Sequence, residues 1–85
     1  MFVLRVVNRD GTCDRREYRR RHAVNKHWQH DLLRLRAGEI LGIGLDEVTD
    51  TGEIRAIQAS YSNIEEETEQ FLHQISLSRE KDRPS

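Results

Sequence analysis

The chain has 85 residues, 35% of them hydrophobic and 34% charged, with a formal net charge of −1. That length is one domain, and so small a chain buries only roughly 60–65% of its unfolded surface, which leaves a thin core. A single cysteine, Cys13, excludes an internal disulfide; Arg5 cuts Phe2-Val3-Leu4 too early for an apolar leader, and no run nears the ~20 apolar residues of a membrane span, so a soluble cytoplasmic protein with no membrane partner is expected.

Residues 2–8 (FVLRVVN) read as a strand, largely apolar on both faces, which suits a central place in a sheet. Asp10-Gly11 follows as a turn dipeptide. Residues 12–22 admit two readings. One is a returning hairpin strand from Thr12 to Arg19; the other is an early helix with Asp14 as N-cap and Glu17 three residues on. The hairpin is favoured, because a helix drawn back that far would put Arg21 in the middle of an apolar stripe. That stripe, Val24, Trp28, Leu32 and Leu35, marks a helix beginning near Asn25 and ending at Ala37, with Gly38 as the left-handed residue after it.

A second hairpin spans residues 39–48 and 54–61 around Thr49-Asp50-Thr51-Gly52. Its expected register sets Leu45 opposite Ile57, Ile43 opposite Ala59, Leu41 opposite Tyr61 and Glu47 opposite Arg55. Gly42 and Gly44 then share the other face, where glycines mark close backbone approach. Ser62 or Asn63 caps a last helix that buries Ile64, Phe71, Leu72 and Ile75. Its first turns carry Glu65, Glu66, Glu67 and Glu69, favoured there by the helix dipole. The fold class is therefore α+β: a three- to four-stranded, mainly antiparallel sheet with two helices, order β(β)αββα. The simplest packing sets both helices on one sheet face. Residues 1–77 form the domain, and the polar stretch 78–85 forms a disordered tail.

Charge is divided along the chain. Residues 1–36 carry ten Lys/Arg against four acids, a net of +6, and residues 37–85 carry four against eleven, a net of −7. Such asymmetry points to a polyanionic or acidic partner for the first half. The plainer alternative is that the halves neutralise each other, within one chain or between two copies.

The densest feature is Arg15-Arg16-Glu17-Tyr18-Arg19-Arg20-Arg21, five arginines in seven residues. Guanidinium pairs bidentately with phosphate, and its plane stacks on bases. Tyr18 suits stacking on an unpaired base, and Lys26, Arg34 and Arg36 extend the patch along the following helix. The candidate contact surface is thus Arg15, Arg16, Tyr18, Arg19, Arg20, Arg21, Lys26 and Arg34, facing nucleic acid or an acidic protein surface.

Catalytic and metal motifs are weak by comparison. His22, His27 and His30 have helical spacing, but no cysteine pair or second ligand pair joins them. Gly42-x-Gly44 lies inside a strand and is no phosphate loop. Cys13 has no evident base, and Ser60 and Ser62 lack a nucleophile elbow. No cofactor, metal site or catalytic residue is assigned. The expectation is a small non-catalytic binding or regulatory protein that contacts nucleic acid through its arginines. The alternatives are a protein–protein adaptor or inhibitor, with homodimerisation as a companion, and last a histidine-dependent enzyme.

Overall fold

The computed structural model describes residues 1–83 of the chain. Six elements follow in the order β1 (Phe2–Asn8), β2 (Cys13–Tyr18), α1 (Arg21–Arg36), β3 (Ile40–Val48), β4 (Ile54–Tyr61) and α2 (Glu65–Asp82). The strands form one antiparallel sheet, ordered β2-β1-β3-β4. The fold is α+β, as the pattern of the sequence implies. Because β1 runs antiparallel to both neighbours, β2 and β3 are parallel with β1 between them. α1 is the crossover that joins those two strands.

The helices do not share a sheet face, which corrects the simplest packing. Leu4, Val6, Ile43 and Leu45 turn to one side and pack with Val24 and Trp28 of α1. Val7 and Leu41 turn to the other side and pack with Phe71 and Ile75 of α2. A strand buried on both faces reads as a continuous apolar run rather than an alternation, and β1 is such a run apart from Arg5 and the terminal Asn8.

Two glycines let α2 lie close to the sheet. A Cβ on Gly42 would sit 2.5 Å from Phe71 Cδ1 and 2.7 Å from Tyr61 Cβ, and one on Gly44 would sit 3.2 Å from Ile75 Cδ1. The expected close approach is therefore where α2 docks. Phe71 also stacks on Tyr61, with ring centroids 4.9 Å apart. Ile64 and Leu72, expected in the core, are exposed; the buried stripe of α2 is Phe71, Ile75 and Ser78.

Several boundaries move. α1 starts at Arg21, not Asn25; its first turn leaves Arg21 exposed, so no charge enters the stripe. It stops as expected: Gly38 has φ +77°, Gly38 N–H donates to Leu35 O, and Glu39 N–H donates to Arg34 O, the paired bonds of a left-handed C-terminal cap. α2 continues to Asp82 with Ser78 buried, so the chain is anchored well beyond residue 77. The last two residues of the expected tail, 84–85, lie outside the described residues.

The β3–β4 register also differs. Glu47 faces Arg55 as expected, but Leu45 faces Gln58, Ile43 faces Ser60, and Gly42 faces Tyr61. The ladder shifts between Leu45 and Asp46, so Ile57 is an extra residue on β4, a β-bulge. Pure alternation cannot carry across an inserted residue.

Candidate nucleic-acid interface

β2 and the start of α1 divide the arginine cluster between the two sheet faces. Arg15 pairs with Arg5 across the β1–β2 ladder, and Arg16 with Leu4. Arg15 therefore turns toward α2, and Arg16 and Tyr18 turn toward α1. Arg19 and Arg20 occupy the bend between β2 and α1, and Arg21 opens the helix; all three are exposed.

Ion pairing then removes some of these cations. Arg15 Nε lies 2.8 Å from Asp82 Oδ1, and its Nη2 lies 2.9 Å from Glu17 Oε1. Arg34 Nη1 lies 3.1 Å from Asp31 Oδ1, and its Nε lies 3.4 Å from Glu39 Oε2. Arg34 also sits eight residues beyond Lys26, about 12 Å along the helix. Among the described residues Arg16, Arg19, Arg20, Arg21 and Lys26 form no ion pair. The sequence cluster thus resolves into a smaller exposed surface at the β2–α1 junction, without Arg15 and Arg34.

Helix electrostatics adds to it. The first turn of α1 holds no acidic residue, and no side chain caps it at Arg20. The amide end of a helix carries partial positive charge and favours anions. Arg20 and Arg21 stand at that end, so dipole and side chains have the same sign.

Tyr18 and His27 form the floor. Tyr18 is half-buried against the core under α1, and its ring centroid lies 5.4 Å from that of His27 at an interplanar angle of 43°. Arg16 Nη1 lies 3.4 Å from His27 Nδ1. His22 and His30 are exposed on α1. Among the described residues, no three His, Cys, Asp or Glu side chains are close enough to share a metal ion. Cys13 turns toward α2, and burial pushes its thiol up, away from the thiolate.

Sequence reasoning missed a second charged cluster on the opposite face. Arg5 is fully buried. Its Nε donates to Asp46 Oδ2 at 2.8 Å, its Nη1 donates to Ser78 Oγ at 2.8 Å, and its Nη2 lies 2.6 Å from Asp82 Oδ2. Arg79 clamps Asp46 with two hydrogen bonds of 2.9 and 2.8 Å. Burial drives both carboxyls up, but hydrogen bonds from Arg79 and Arg5 to Asp46, and from Arg15 and Arg5 to Asp82, outweigh it and hold both below the ordinary range. Every cation here has an acid partner, so the cluster ties α2 to the sheet. The signal for it was a lone Arg5 in an otherwise apolar strand.

Comparison with protein-family models, curated proteins and solved structures gives no match. No helix among the described residues is long and apolar enough to cross a membrane.

Proposed function

We propose that this protein binds the phosphate backbone of nucleic acid, without catalysis, through Arg16, Arg19, Arg20, Arg21 and Lys26. One observation carries the reading: among the described residues these five cations form no ion pair and gather around the β2–α1 junction, in a chain with 15 acids against 14 bases. Of the other five cations of the first half, Arg5, Arg9, Arg15 and Arg34 pair with acids of the second half, and Arg36, at the far end of α1, forms no ion pair among the described residues. Like charges held together without counter-charge destabilise a compact state, and an external polyanion relieves that repulsion.

The guanidiniums would take phosphate oxygens in bidentate fashion, and the open amide end of α1 would add donors. Tyr18 packs under α1 with its ring against His27, which favours backbone contact over base stacking. Sequence-independent binding follows, since phosphate contacts position but do not specify.

Fluorescence anisotropy of labelled single- and double-stranded DNA and RNA tests this. Binding at low salt, lost in the Arg19→Glu/Arg20→Glu/Arg21→Glu triple variant with its circular dichroism unchanged, supports the reading. No binding to any of the four probes at low salt contradicts it and leaves an acidic protein surface as the partner to seek.

A further inference from the structure

We propose that β4 is a dimerisation edge, at which the β4 of a second copy of this chain adds antiparallel with Ala56 opposite Ala59. β4 is outermost in the sheet, so one side of its backbone has no strand partner among the described residues. The two sheet edges are built differently. β2 carries Asp14, Arg15, Arg16 and Glu17 within six residues, and charged side chains are how edges are kept from pairing. β4 carries only Arg55 in eight residues, with Ala56, Ile57 and Ala59 exposed and Tyr61 45% exposed.

The bulge makes this strand complementary to itself. Partners Val48, Asp46, Gly44 and Gly42 place Ile54, Ala56, Ala59 and Tyr61 on the α2 side. Partners Glu47, Leu45 and Ile43 place Arg55, Gln58 and Ser60 on the other side. The α2 side of β4 is therefore wholly apolar, and it reads large–small–small–large in either direction. A two-fold axis normal to the sheet, between Ile57 and Gln58, sets Ile54 opposite Tyr61 of the second copy, Arg55 opposite its Ser60 and Ala56 opposite its Ala59. No like charges are opposed, and apolar meets apolar across the ladder. A closed two-fold contact of this kind uses the same patch on both copies.

Charge agrees with the pairing. α2 runs antiparallel to β4, with Phe71 stacked on Tyr61 and Arg79 on Asp46, which faces Ala56. The axis then sets the two α2 helices antiparallel on one face of an eight-stranded sheet. The acidic first turn of each, Glu65 to Glu67, points the same way as the basic last turn of the other, Arg79 and Lys81. β4 shares no residue with the phosphate-binding surface, so the dimer stands or falls separately from that reading.

Light scattering across a concentration series reads the mass, and disulfide trapping reads the register. The expected mass is twice the 10.0 kDa of one chain, returning to one chain in Ala56→Arg/Ala59→Arg with unchanged circular dichroism. In a Cys13→Ser background, Ala56→Cys and Ala59→Cys proteins are expected to cross-link when mixed and not when oxidised alone, because directly opposed residues lie about 4.5–5.5 Å apart at Cα. A single-chain mass at every concentration, a dimer that survives the double arginine variant, or self-linking of either cysteine variant would overturn the proposal.

Discussion

Arg5 and Asp46 show what one buried charge demands of its surroundings. Asp46 is shared by Arg5 and Arg79, and Asp82 by Arg5 and Arg15. Arg5 and Arg15 face each other in the ladder, so without Asp82 two guanidiniums would oppose. Breaking a buried pair by removing one partner leaves an uncompensated charge and costs about 3–5 kcal/mol. Asp46→Asn is expected to lose that much, read as a lower urea midpoint at unchanged slope. The same pairs set a pH limb. Both carboxyls sit below their unfolded values of about 3.9. Their stabilisation is therefore complete above about pH 5 and drains away as pH falls through the depressed folded values. Urea midpoints should be flat from about pH 6 to pH 5 and fall below about pH 4, with a shallower fall in Asp46→Asn; an acid limb equally steep in that variant would contradict the assignment.

At the scale of elements, the glycines make the sharpest predictions. Gly42→Ala drives a Cβ into Phe71 and Tyr61, and overpacking of this kind costs about 1–3 kcal/mol. Gly44→Ala meets only the movable end of Ile75 at 3.2 Å, so its thermal midpoint should drop less than that of Gly42→Ala. Gly38→Ala forces a left-handed conformation on a side chain at φ +77°, at a cost of about 1–2 kcal/mol. All three glycines were readable from sequence, because each breaks a pattern that its neighbours establish. The strand and helix types were readable for the same reason. Other features were not. The bulge at Ile57 leaves no mark in β4, whose alternation reads as well with an unbroken register. The α2 face was hidden too: Leu72 completes an apolar stripe on paper, whereas the true stripe ends in Ser78, which is buried because Arg5 needs its hydroxyl. The arginine cluster was plain, but its division was not, since Asp82 and Glu39 reach Arg15 and Arg34 only through the fold.

In the whole molecule, the charge split of the sequence becomes a split between faces. α1 carries Arg21, Lys26, Arg34 and Arg36 against Asp31. α2 carries four glutamates between Glu65 and Glu69, then Glu80 and Asp82, against Arg79 and Lys81. The sheet lies between them, since α1 packs on one of its faces and α2 on the other, so the two fields are of opposite sign on opposite faces. A polyanion of the kind proposed would be drawn to the α1 side and repelled from the α2 side, which would orient its approach before contact.

The most direct test of the proposed phosphate-binding surface is the slope of log Kobs against log salt for a duplex DNA probe. Each neutralised phosphate contributes about −0.9 to that slope, so four or five contacts predict a value near −4. Arg16→Gln and Arg20→Gln should each bring the slope about one unit closer to zero. Arg15→Gln should leave it unchanged, because Arg15 is engaged with Asp82. A slope near zero, or an Arg15→Gln effect as large as that of Arg20→Gln, would contradict the surface described above.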